Sequence, residues 1–435
     1  MTARKLNILF TTWDGGGNIP PVLEAARRLV ARGHQVRLMA DETVRAAAAA
    51  AGIGFTPWRE APQRRDTLIE NDPIKDWTAE GPMGGIAKLR DIIMAGGALG
   101  YARDTAAELD RAPYDLVVTS EMVLGALIAA EARGVGLAIL SANVALMPIP
   151  GIPPMGPGFA PAMSEAERTL HAEVAAGARA MFNEGLPALN AARAVFGLAP
   201  VSDIFDQFAA AARMLVATSP AFDFPAAELP EGLVYIGPMT GTPVASDGWT
   251  SPFAGQDLRP LVLVAFSTTY QAQQTQIANA ITALGRLPVR ALVTLGPALA
   301  AARFDAPANV KTVAEAPHDA VMAEAGLVIT HAGHGTVIRA LSHGTPLICL
   351  PMGRDQNDNA ARVDWHGAGI RLDPAAGADA IEAAIRTVFG DTAYRKAARR
   401  LQTAIGADII ASPFIAEIEA LGAAGRPGVD FAPAA

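Results

Sequence analysis

The 435-residue sequence predicts an α/β protein built from two doubly wound, Rossmann-like domains that face each other across a cleft. Three observations carry this. Continuous apolar runs alternate with amphipathic stretches, the signature of parallel sheets covered on both faces. The alternation occurs in each half of the chain, and the length exceeds the ~100–200 residues that one domain usually organises.

In the first half, Leu6–Phe10 reads as a strand, Asp14-Gly15-Gly16-Gly17-Asn18 as a loop, Val22, Leu23, Ala26 and Leu29 as one helical face, and Val36–Ala40 as the next strand. A second unit follows, with a strand at Asp115–Val118, a helix at Gly125–Arg133 and a strand at Leu137–Leu140. Two stretches fall outside this pattern, Gln63–Gly100 and the proline-rich Pro148–Pro161. They read equally well as plain connecting loops and as lids or pocket walls. Gly, Pro, Ser and Thr crowd together in Gly237–Asp257, which sets the expected domains at residues 1–238 and 239–435.

The second half repeats the first. A strand at Leu261–Phe266 leads through Ser267-Thr268-Thr269 to a helix marked by Ile277, Ile281 and Leu284, then to a strand at Ala291–Leu295. Gly326–Thr330, Thr336–Leu341 and Pro346–Leu350 form the second strand-helix-strand unit. A last helix at about 405–421 is expected to pack back on the first domain, and residues 422–435, which lack periodicity, are expected to be partly disordered.

Composition narrows the partners. Thirty-five Lys and Arg against 43 Asp and Glu give a net charge of −8, which argues against nucleic acid and anionic lipid and for a small ligand. The single cysteine, Cys349, allows no intramolecular disulfide and no cysteine-based metal site. The apolar run Ile8–Phe10 is too short for a signal peptide, and the six prolines in uncharged Gly134–Met163 forbid a spanning helix, so a cytoplasmic protein is expected.

The most informative segment is Leu327-Val328-Ile329-Thr330-His331-Ala332-Gly333-His334-Gly335-Thr336, a strand running into glycines that open a helix. Backbone N–H groups at a helix start have no intrahelical partners and favour an anion. Thr336 is a candidate cap and His331 a candidate phosphate donor. The segment is neither GxGxxG nor a P-loop. Pro351-Met352-Gly353-Arg354-Asp355-Gln356 then places an acid and an amide beyond the C-terminal end of a strand, the edge where parallel sheets bind ligands.

The order HAGHGT, GTP, PMGRDQ, NAARV, GAG resembles the signature of bacterial and plant UDP/TDP-dependent inverting glycosyltransferases of the GT-B fold, closely over residues 311–372. The resemblance implies that His331, Gly333, Gly335 and Thr336 hold the donor diphosphate and that Asp355 and Gln356 bind sugar hydroxyls. It also implies that Ala316 and His318 belong to the loop that reads the pyrimidine, with Ser267 under the phosphates. Glu315 and Arg339 replace a base-stacking tryptophan and a ribose-binding glutamate of plant members, which leaves UDP and TDP both open.

The family's catalytic histidine has no counterpart. Asn18 stands in its place, and Ser120 stands where a supporting aspartate belongs, with Glu121 one residue later. An amide accepts no proton at neutral pH. Asn18 could orient an acidic acceptor such as a phenol, or Asp14 or Glu121 could be a relocated base; loss of catalysis is the third option. Each also has a plain reading: Asn18 as a helix N-cap, Asp14 as a turn residue and Glu121 as a surface carboxylate, with His34 structural. DxD, HExxH, CxxC and GxSxG are missing, so no metal and no cofactor beyond the donor sugar nucleotide are expected. The sequence thus points to transfer of a hexose to a hydroxyl of a small apolar acceptor. A sugar-nucleotide-binding protein without activity and a GT-B-type nucleotide-sugar epimerase are the alternatives, and the oligomeric state is undetermined.

Overall fold

The structure is a computed structural model that describes residues 4–80, 83–241, 249–253, 255, 257–266 and 269–424. The first sheet contains β1 (Asn7–Thr11), β2 (Gln35–Ala40), β3 (Gly54–Pro57), β4 (Leu116–Thr119), β5 (Gly136–Ser141), β6 (Arg213–Val216) and β7 (Leu233–Tyr235). All pairs are parallel, in the order β3-β2-β1-β4-β5-β6-β7. The second sheet contains β8 (Leu261–Ala265), β9 (Arg290–Thr294), β10 (Val310–Val313), β11 (Ala325–Thr330), β12 (Leu347–Cys349) and β13 (Gly369–Arg371). It too is parallel, in the order β10-β9-β8-β11-β12-β13.

Period-two alternation explains why these runs are apolar throughout. Ile8 and Phe10 pack with Val22, Ala26 and Leu29 on one face of β1, while Leu9 packs with Tyr101 and Leu127 on the other. In β8, Leu263 faces Ile338 and Leu341, and Val262 and Val264 face Ile277 and Ile281. Strand order reverses between β1 and β4 and between β8 and β11, so each sheet opens a crevice at the C-terminal ends of those strands.

Two expectations change. Gln63–Gly100 is not a loop throughout: Gly84–Leu89 is helical, passes through a wider turn at Arg90–Met94, and a long helix starts at Ala98. The single helix expected at about 405–421 is the end of one helix, Thr392–Ile410, and a second, Phe414–Ala424. Pro413 lies at the break, because its ring leaves no N–H for the ladder. The second helix lies on the first sheet, where Phe414, Ile418 and Leu421 join Leu6 and Ile8. Arg32–Glu419 (2.8 Å) and Arg213–Glu417 (3.1 Å) flank that seam. His34 is buried there, its Nδ1 accepting the Leu6 N–H at 3.2 Å. Of the segment 422–435, residues 422–424 end this helix and 425–435 lie outside the described residues. No helix among the described residues is long and apolar enough to cross a membrane.

The proline-rich run is a strap from the first domain to the second. The Asp358 carboxylate accepts the N–H groups of Gly156 (2.8 Å) and Gly158 (3.2 Å), and Arg371 donates to the Gly158 carbonyl at 2.6 Å. Gly158 has φ +68°, and a Cβ there would sit 2.4 Å from the Asn357 carbonyl, so only glycine fits.

Candidate active site

The C-terminal edges of the two sheets enclose a cavity of about 390 Å³. Asn18, Glu121, His318, His331, Gly333, Gly335, Thr336, Asp355 and Gln356 all line it. Asp14 and Ala316 are not in its wall, and Ser267 lies outside the described residues.

The glycine loop after β11 forms the second domain's side of the cavity. The helix it opens runs over His334–Ser342 with Gly333 at its N-cap, so Thr336 is a first-turn residue and not the cap expected from sequence. Ala332 adopts a left-handed φ of +68° just before it. A Cβ on Gly333 would lie 2.7 Å from the His331 Nε2, so glycine is what lets the imidazole lie against the helix start. Gly335 has open space around its Cα, leaving the first helical N–H groups accessible.

His331 is buried, stacked at 6.1 Å on Phe266, and its pKa falls to about 3 because burial and the Arg354 cation disfavour imidazolium. It is therefore a neutral hydrogen-bonding group. His334 is drawn down to about 4, also by burial, and its Nε2 meets the Thr218 hydroxyl of the first domain at 2.8 Å. His318 shares a hydrogen with Thr294 at 3.0 Å, and burial lowers it to about 4.

Asp355 and Gln356 begin the helix Gln356–Trp365, with Asp355 at its N-cap. Asp355 Oδ2 accepts from Asn359 at 2.9 Å, and burial raises its pKa. The Gln356 amide donates to Gln271 at 3.0 Å and accepts the Met352 N–H at 2.7 Å.

On the first domain's side Asp14 is the turn residue expected, Asn18 holds the N-cap position without a side-chain cap, and Glu121 departs from its plain reading. Asn18 stands at the N-cap of the helix Ile19–Arg32 but makes no side-chain cap bond. Its amide instead donates to the Trp13 carbonyl (2.8 Å) and the Thr12 hydroxyl (3.2 Å) and accepts the Gly15 N–H (2.9 Å), tying the loop to itself. Asp14 is spent in the same way, accepting from Gly16 N–H at 2.9 Å and Thr43 hydroxyl at 2.6 Å. Glu121 is no surface carboxylate: it is 9% exposed, accepts from Ser141 at 2.8 Å and from the Leu146 N–H at 3.3 Å, and faces the cavity. Burial, with a smaller push from the Asp355 charge, raises its pKa to about 7.

Residues 265–421 match the erythromycin biosynthesis protein CIII-like, C-terminal domain family. Over 412 residues, 91% of this chain and 94% of the other, the sequence is 27% identical to 4'-demethylrebeccamycin synthase of Lentzea aerocolonigenes. The chain is a glycosyltransferase, similar in sequence to enzymes of bacterial natural-product biosynthesis. Its fold is that of the GT-B structures. The glycotransferase of kitacinnamycin superposes with a TM-score of 0.74 at 22% identity, covering 95% of this chain and 99% of that one. The glycosyltransferase VinC in complex with dTDP superposes with a TM-score of 0.66 at 17% identity, covering 97% and 100%.

Sequence reasoning missed several residues of this glycosyltransferase. Arg354 takes a left-handed φ of +55°, donates to Thr269 of its own domain at 3.1 Å, and reaches the first domain at Asp76 (2.6 Å) and the Gly15 carbonyl (3.2 Å). Only folding brings these partners together. Arg339, noted in the sequence only as a replacement for a ribose-binding glutamate, lines the cavity and pairs with Asp319 at 2.9 Å. Trp13, Ile86, Leu89, Met122, Met155 and Phe182 give the cavity an apolar side, so both unusual stretches supply pocket wall. Among the described residues no cluster of three or more His, Cys, Asp or Glu is placed to hold a metal ion.

Proposed function

We propose that this glycosyltransferase moves a hexose from a UDP- or TDP-sugar onto a hydroxyl of a small, largely apolar acceptor, with inversion and without a metal, and that Glu121 is the base. The observation carrying this reading is Glu121 itself. It is a buried carboxyl with a pKa of about 7 in the same cavity as His331, Asp355 and a helix N-terminus.

Of the base assignments open in the sequence, two have other work. Both amide protons of Asn18 are donated to its own loop, and Asp14, which is not in the cavity wall, accepts from the Gly16 N–H and the Thr43 hydroxyl. Glu121 takes the proton of the acceptor hydroxyl while that oxygen attacks the anomeric carbon. The bond to the diphosphate breaks on the opposite face, and its electron pair leaves with the nucleotide. The developing charge meets the helix start at Gly335–Thr336, with His331 donating and Arg339 and Arg354 nearby. A base with a pKa near 7 is well matched to phenols and other acidic hydroxyls. The apolar wall from Trp13 to Phe182 suits such an aglycone, and a fold neighbour that holds dTDP supports a nucleoside diphosphate opposite it.

Purified protein incubated with UDP- and TDP-hexoses and a panel of phenolic, macrolide and steroid-like acceptors, followed by mass spectrometry, tests the proposal. Transfer with an inverted anomeric configuration is expected. Tight donor binding without transfer to any acceptor would refute it.

A further inference from the structure

Beside the main cavity lies a smaller chamber of about 140 Å³, room for several water-sized groups. Ile86, Leu89 and Arg354 line both spaces. The loop Met352-Gly353-Arg354-Asp355-Gln356 runs along the two: its first three residues line the chamber, and its last three line the main cavity. The chamber therefore adjoins the Asp355–Gln356 pair through Arg354 and meets the apolar wall through Ile86 and Leu89, while Glu121 and Met122 do not line it.

Asp76, Gln271, Arg354 and Asn357 are its polar residues, and the Asp76 side chain is 9% exposed. Asp76 Oδ2 is held by Arg354 Nε at 2.6 Å, but Oδ1 is buried without a hydrogen-bond partner. A buried carboxylate oxygen left unpaired carries its full desolvation cost, which a ligand O–H or N–H removes. Backbone strain accompanies the pair: Lys75, next to Asp76, and Arg354 itself are both left-handed, at φ +46° and +55°. Non-glycine residues held this way concentrate where a ligand is clamped. Trp77, fixed edge-on to Tyr270 at 5.1 Å, supplies a flat wall.

We propose that this chamber is a specificity subsite for the transferred sugar, in which Asp76 accepts a hydrogen bond from a hydroxyl or amino substituent while Arg354 holds the carboxylate. The inference rests on the donor reading above. It makes the first domain a reader of the donor, because Asp76 belongs to that domain and is held to the second by Arg354.

The experiment is calorimetric titration without acceptor, using TDP, TDP-glucose and its mono-deoxy and mono-amino analogues at each hydroxyl in turn. Loss of one hydroxyl should weaken binding by about tenfold or more, the scale of a hydrogen bond to a charged group, and an amino group there should restore it. Asp76→Asn should erase that difference without an equal loss of TDP affinity. Gly85→Leu provides a second variant: a Cβ there meets only Asp76 Cβ at 3.9 Å, so the larger side chain fills the chamber without a backbone clash and should exclude the same substituent. Wild-type discrimination in both variants, or an equal loss for TDP itself, overturns the subsite. Sugar nucleotides that bind wild type with no dependence on any hydroxyl overturn it while leaving the donor reading intact. Failure of wild type to bind any sugar nucleotide overturns both.

Discussion

Glu121 and Asp355 come from different domains, yet they meet in one cavity, and the charge of Asp355 helps burial hold the Glu121 proton up to a pKa of about 7. If Glu121 is the proposed base, its raised pKa owes most to burial and least to Asp355, a second-domain group.

Glu121→Gln keeps the shape and removes the base. Turnover should fall about 10²–10⁴-fold with donor affinity little changed. Because catalysis needs the carboxylate, wild-type kcat/KM should rise tenfold per pH unit below about 7 and level above it. A variant that retains this profile removes Glu121 from the mechanism.

Asn18→Ala should act on the loop and not on the proton. Three bonds from one half-buried amide are lost, so a destabilisation of about 1–3 kcal/mol is expected in denaturant unfolding. The pH profile of the remaining activity should keep its midpoint. A shifted midpoint would return Asn18 to the chemistry.

His331→Ala should weaken TDP binding about 10–100-fold, the value of a hydrogen bond to a charged group. The imidazole is neutral in the free protein, with a pKa near 3, and a bound diphosphate favours its protonated form. Binding should therefore take up protons, and affinity should increase as pH falls. Calorimetry in buffers of differing ionisation enthalpy measures that uptake, which His331→Ala should reduce while Glu121→Gln leaves the His331 share in place.

Asp358 couples the strap to stability. Burial raises its pKa from 3.8 to about 6, so the native state holds this proton more tightly than the unfolded chain does. Its contribution is full below about pH 4 and declines as pH rises to about 6. Asp358→Asn should flatten that part of the stability curve. Asp358→Ala, which frees Gly156 and Gly158, should raise the acceptor KM more than the donor KM, because Met155 on the same strap lines the cavity.

The sequence by itself determined the two parallel sheets, since strands buried on both faces must be apolar throughout, and it located the glycine loop because a helix start beside β11 needs those residues at that spacing. His331, Thr336, Asp355 and Gln356, all in the cavity wall, were legible as candidates for the same local reason. What it left open was everything set by distance across the fold. Asn18 and Glu121 carry no local mark of their environments: the amide is spent on Trp13, Thr12 and Gly15, and burial beside Ser141 and Leu146, opposite Asp355, raises the carboxyl's pKa to about 7. Arg354 meets Asp76 across 278 positions of sequence, and Asp358 meets Gly156 across 202. Periodicity and turn chemistry act over a few residues, whereas desolvation and cross-domain hydrogen bonds act only between groups the tertiary structure has brought together.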